Sequence, residues 1–66
     1  MAYACISQRL RDLRTQQGLS QRALANSAGV YHPTVCLIEQ GRQIPTLPTI
    51  RKLAHALNVD ISTLVT

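Results

Sequence analysis

The sequence has no Trp and no Phe, and its two Tyr make aromatics only 3% of the chain. A core without aromatic rings must be built from Leu, Ile, Val and Ala. That suits small packed helices better than a β-sandwich, which favours aromatic and β-branched strands. Acid is scarce too. Asp12, Glu39 and Asp60 are the only carboxylates, they are scattered, and no glycine-rich phosphate loop accompanies them. An enzyme is therefore not expected. Two cysteines, Cys5 and Cys36, cannot build a disulfide framework and read as reduced thiols. Three Gly and three Pro exclude a fibrous or low-complexity chain. No apolar run approaches the roughly 18–20 residues of a membrane span. The stretch Met1–Cys5 has neither a basic n-region nor an apolar h-region of a secretory signal, so the expected setting is the cytoplasm.

What is present is aliphatic and basic. The 66 residues are 45% hydrophobic, enough for one small domain, residues 1–66, and too few for two. At this size only about 60% of the unfolded surface is buried, so stability is marginal unless something adds to it. Seven basic residues against three acidic ones give a net charge of +4. Six of the seven are Arg, whose guanidinium fork binds phosphate bidentately, which favours a nucleic-acid partner.

Ile6, Leu10 and Leu13 recur at i, i+4 and i+7 and predict a helix from about Ile6 to Gln17, with Gly18 beyond it. Ser20 is an N-cap for a short helix from Gln21 to Ala28, stopped by Gly29. Pro33 fits the first turn of a third helix, His32 to Gln40, stopped by Gly41. Thr46 and Pro48 open a fourth, in which Ile50, Leu53, Ala54 and Leu57 form the clearest apolar stripe and Asn58 is the stop. Asp60 begins a last short helix, Ile61 to Val65. The expected fold class is all-α: a compact bundle of five short helices.

Residues 21–40 carry the function. Two helices are joined there by a three-residue turn containing Gly29, which is the description of a helix-turn-helix. Ala25 is small enough for a close crossing, and Leu24, Ala28, Val30, Val35 and Ile38 face one shared core. At these residues the chain resembles the Cro/repressor, lambda-repressor-like (XRE) family of DNA-binding domains. Gly18-Leu19-Ser20-Gln21 is similar to the family's joint between helices 1 and 2. Glu39-Gln40-Gly41-Arg42 with Pro45 is similar to its recognition-helix exit, and Leu53 to Val59 to its fourth helix and turn.

The resemblance implies a sequence-specific transcriptional regulator, a repressor that binds an inverted-repeat operator in double-stranded DNA as a homodimer, in a prokaryotic or phage-encoded, nucleoid-associated setting. It implies that Gln21 meets a phosphate and braces the recognition helix, and that Arg42 and Gln43 meet phosphate from the following loop. It also implies an ion pair of Arg14 with Glu39. In this motif the N-terminal part of the recognition helix enters the major groove. The outward candidates there are His32, Thr34, Cys36, Leu37 and Gln40, with Tyr31 at the entrance. Pro33, Cys36 and Leu37 depart from the polar residues the family often uses. The base-edge donors reduce to His32, Thr34 and Gln40, while Leu37 can touch a thymine methyl. Val59, Ile61, Leu64 and Val65 form an apolar group suited to core closure or to a homodimer interface, and the resemblance favours the dimer interface.

Rival readings have thinner support. His32 and Cys36 share a helix face at i, i+4, but a zinc site needs three or four ligands and only Cys5 and His55 remain, so no metal is expected. No cofactor or small-molecule substrate is evident. The basic residues Arg9 and Arg11 lack the Trp or Phe anchors of a membrane-surface helix. The alternative from another class is an antitoxin-like or other protein-interaction module on the same fold, for which the apolar Pro33, Cys36 and Leu37 surface would suit a partner's groove.

Overall fold

In the computed structural model the backbone is described for residues 2–65 and side chains for residues 6–65, so the side chain of Cys5 lies outside the described residues. The chain forms α1 (Ala2–Gln16), α2 (Gln21–Ala28), α3 (His32–Glu39), α4 (Leu47–Leu57) and α5 (Ile61–Val65). There is no strand among the described residues. The five expected helices are all present. α1 begins four residues before the expected Ile6, because residues 2–5 contain two Ala and no Gly or Pro to stop a helix.

The local chemistry at each end explains the boundaries. Ser20 Oγ accepts from the Ala23 amide at 3.0 Å and opens α2; Thr46 Oγ1 accepts from the Thr49 amide at 3.4 Å and opens α4. Four helices close the same way, with an amide reaching back five residues: Leu19 to Arg14, Val30 to Ala25, Arg42 to Leu37, and Val59 to Ala54. That closure requires one left-handed residue just before the donor. Gly29 takes the role after α2 at φ 68°, where a Cβ would be strained. Asn58 takes it after α4 at φ 58°. Such endings keep the connections short, which brings the next helix back onto the core.

α1 packs on α3 and α5, α2 packs on α3 and α4, and α4 packs on α5. Their apolar faces meet in one cluster: Leu10, Leu24, Val35, Ile38, Leu53, Leu57 and Leu64 are each under 2% exposed. Leu13, Val30, Val59 and Ile61 line its edge. Leu64, offered by the sequence as dimer surface, is therefore a core residue; so short a bundle needs every large aliphatic side chain of α5's inner face to close it. Leu64→Ala should cost about 2–5 kcal/mol, read by urea or thermal unfolding, with the same loss at every protein concentration. A loss below ~1 kcal/mol, or one that vanishes on dilution, would return Leu64 to an interface role.

Candidate nucleic-acid interface

α2 and α3 are joined by Gly29, Val30 and Tyr31. Leu24 and Ala25 of α2 and Val35 and Ile38 of α3 are buried together, and the small Ala25, 1% exposed, permits the close crossing. α3 has no side-chain cap, because Tyr31 stands at its N-cap, and Pro33 lies in its first turn. Its exit is strongly held instead. The amides of Gly41 and Arg42 donate to Ile38 O and Leu37 O at 3.0 and 2.9 Å.

α1 supplies the rest of that hold. Ser7, Arg11 and Arg14 recur at i, i+4 and i+7, a polar stripe beside the apolar one. All three bond to the end of α3. Ser7 Oγ donates to Ile38 O at 2.6 Å, and Arg11 Nη2 donates to Glu39 O at 2.9 Å. Arg14 grips the Glu39 carboxylate with both arms, Nε to Oε2 at 2.6 Å and Nη2 to Oε1 at 3.0 Å. Arg14 Nη1 also donates to Leu19 O at 2.8 Å, tying in the joint between α1 and α2. The Glu39 side chain is 1% exposed and that of Arg14 is 14% exposed. Hydrogen bonding to Glu39 holds the Arg14 guanidinium above its ordinary pKa, against the opposing pull of burial, so it is a fixed cation.

The network continues to the start of α2. Gln21 Nε2 donates to Glu39 Oε1 at 3.1 Å, and Gln21 Oε1 accepts from the Cys36 thiol at 3.0 Å. Cys36 Sγ lies 3.5 Å from His32 Nε2. One chain of polar contacts thus runs Arg14, Glu39, Gln21, Cys36, His32, from α1 through the α2 N-terminus to the first turn of α3. Among the described residues no buried side-chain polar atom lacks a partner.

The expected site residues are distributed as follows. The Arg14–Glu39 pair is present, with good bidentate geometry. Gln21 is half-buried and braces α3 through Glu39 and Cys36; one hydrogen of its Nε2 remains for another acceptor. Cys36 is half-buried, and its thiol is turned toward α2, where Gln21 offers an amide oxygen. Tyr31 is 75% exposed, and Gln40, Arg42 and Gln43 are exposed. His32, Thr34 and Leu37 are half-buried. Of the group at the chain's end, Val65 is 40% exposed, Val59 and Ile61 are half-buried, and Leu64 is in the core.

Ser7 and Arg11 lie off the apolar stripe and were not among the expected site residues. Nor was Gln17, whose Nε2 donates to Leu57 O at 2.7 Å and joins α1 to the end of α4. The i, i+4, i+7 spacing of Ser7, Arg11 and Arg14 was the available signal. Charge is arranged to match. From residue 13 to residue 59 the only carboxylate is Glu39, and it is buried and neutralised, while Arg22, Arg42, Arg51 and Lys52 are exposed. Among the described residues no cluster of His, Cys, Asp or Glu could hold a metal ion, and no helix is long and apolar enough to cross a membrane.

Two short helices crossing at a glycine turn, braced by a third, define a helix-turn-helix protein. The profile described as a helix-turn-helix domain matches residues 6–64, and the chain belongs to this family, in its Cro/repressor branch. The chain is 42% identical over 59 residues to the cryptic phage CTXphi transcriptional repressor RstR of Vibrio cholerae, covering 89% of this chain and 53% of that protein. It is 39% identical over 54 residues to the HTH-type transcriptional regulator PuuR of Escherichia coli, covering 82% of this chain and 29% of that one. The chain therefore spans about half or less of these curated relatives. Among solved structures, it is similar to the restriction-modification controller protein C.AhdI from Aeromonas hydrophila. The TM-score is 0.91 and identity 40%, over 94% of each chain. A hypothetical transcription factor from Neisseria matches with a TM-score of 0.95 at 30% identity, over 100% of this chain and 76% of that one.

The polar hub makes a testable demand. Glu39→Gln leaves the largely buried Arg14 without its counter-charge and should destabilise the fold by roughly 3 kcal/mol, the low end for a broken buried pair because Arg14 keeps some access to water. Chemical denaturation measures this. A change within ~0.5 kcal/mol would mean that the pair is energetically idle.

Proposed function

We propose that the chain is a sequence-specific DNA-binding transcriptional regulator, acting as a repressor by occupying an inverted-repeat operator as a homodimer. The observation that carries this reading is the presentation of α3. It is fixed at its exit by Ser7, Arg11 and Arg14 and at its middle by Gln21, while Tyr31, Pro33 and Gln40 stay exposed. A recognition element must have a rigid inner face and a free outer one, and here the two are cleanly separated.

In this reading the first turns of α3 enter the major groove, where His32, Thr34 and Gln40 offer polar contacts to base edges and Leu37 an apolar one to a thymine methyl. Phosphates are met from two sides. Ser20 takes the Ala23 amide, so the other first-turn amides of α2 and the second Nε2 hydrogen of Gln21 are available to an anion. Arg42 and Gln43, exposed beyond the left-handed Gly41, reach phosphate from the other end of α3. The single carboxylate of the stretch is withdrawn into the core, so nothing on this face repels the backbone. A second copy would be held through the apolar surface left on the last helix and the turn before it, Val65 with the edges of Ile61 and Val59, which would set two recognition helices about one DNA turn apart, roughly 34 Å.

Selection of bound duplexes from a random pool at about 0.1 M salt tests the proposal. It should enrich an inverted repeat with half-sites one turn apart. Binding without enrichment, or no binding, would favour the protein-interaction reading, with the exposed Tyr31, Ile44 and Leu47 as the surface to examine. Arg42→Ala should weaken binding to all sequences alike and reduce the slope of log affinity against log salt by about one. An unchanged slope removes Arg42 from the phosphate contacts. His32→Ala should alter the selected sequence more than it alters affinity for random DNA; identical selected profiles would remove His32 from base reading.

A further inference from the structure

The polar chain that ends on His32 has a direction, and the direction fixes which ring nitrogen carries the imidazole proton. Glu39 is the starting point. Its carboxylate, gripped by Arg14, can only accept, so the Gln21 atom 3.1 Å from Oε1 must be the donating Nε2. The Gln21 amide is thereby oriented, and its Oε1 faces Cys36. An amide oxygen can only accept, so the single thiol proton of Cys36 is committed to it across the 3.0 Å contact. The sulfur has no second proton to offer. Toward His32, 3.5 Å away, it can only accept, and the Nε2 of a neutral imidazole facing it must carry the hydrogen. The other ring nitrogen, Nδ1, is then a bare acceptor, and no contact within the protein engages it among the described residues.

We propose that Cys36 is a positioning residue that locks His32 in the Nε2–H tautomer, so that His32 reads its base through an accepting Nδ1 and selects an amino-bearing edge, adenine N6 or cytosine N4. This rests on the reading of α3 as the groove-binding helix. In the major groove adenine and cytosine present amino donors, whereas guanine presents N7 and O6 and thymine O4, all acceptors. A free imidazole could meet either kind by exchanging tautomers; a locked one meets only donors. The departure of Cys36 from the polar residues expected on a recognition helix thus has a role. Its thiol is spent inward, and what it controls is its neighbour's hydrogen-bonding sense.

The test has two independent parts. Long-range proton–nitrogen NMR on the DNA-free protein at about pH 8, where an ordinary imidazole is neutral, reports the tautomer of His32 directly. The expected result is Nε2–H; an Nδ1–H majority overturns the inference and leaves the DNA-binding proposal standing. Duplex selection is then run with the unaltered chain, Cys36→Ala and Cys36→Ser. The unaltered chain should prefer adenine or cytosine at the base met by His32. Cys36→Ala should lose that preference by roughly three- to tenfold, the range of one hydrogen bond, read as the ratio of affinities for duplexes that differ only at that base, in which any uniform loss from the released Gln21 brace cancels. Cys36→Ser, whose hydroxyl can donate to Gln21 and accept from His32, should restore it. A Cys36→Ala profile identical to that of the unaltered chain overturns the inference, as does loss of preference in both variants alike. Should either variant unfold, the NMR result on the unaltered chain decides. Failure to bind any duplex, with the tautomer as stated, overturns the proposed function and the base assignment together.

Discussion

The structure depends on one buried carboxylate. Glu39 sits at the last turn of α3 with its side chain almost fully removed from water, a position that costs several kcal/mol unless the charge is met. It is met by both arms of Arg14 from α1 and by the Gln21 amide from α2. Three helices therefore converge on two oxygen atoms. The aliphatic core could tolerate small slides of α3, since burial is non-directional. Bidentate hydrogen bonds cannot, since their geometry degrades within tenths of an ångström. The core supplies the stability and Glu39 supplies the register.

That register is what the proposed role of α3 as a groove-reading helix requires. Arg11 satisfies Glu39 O, a group the end of the short helix leaves open, and Ser7 adds a second bond to Ile38 O beside that of the Gly41 amide. With its exit and its middle fixed, α3 presents its outer residues as a rigid set, and little ordering remains to be done on binding. The charge distribution follows from the same choice. Placing Glu39 in the core answers Arg14 and at the same time removes the one acid that would have faced a polyanion.

Much of this was legible in the sequence. The stripe of Ile50, Leu53, Ala54 and Leu57, the glycine stops and the Ser20 and Thr46 caps each have a local cause, and the helices stand where those causes put them. Other features were not local. Cys36 reads as outward on a helical wheel, and only the approach of Gln21 from a separate helix gives its thiol an inward partner. Leu64 reads from the sequence as dimer surface, and its burial instead depends on whether four other helices leave a gap for it. Ser7 and Arg11 look solvated until the end of α3 is laid against them. In each case the deciding group lies many residues away, where periodicity carries no information.

The most direct measurement of the central claim is an amide NMR titration of the chain with a short duplex. Shifts should concentrate at the start of α2, through α3 and at residues 42–43, while the Arg51–Lys52 segment of α4 stays quiet. Shifts centred on α4 instead, with α3 unmoved, would contradict this.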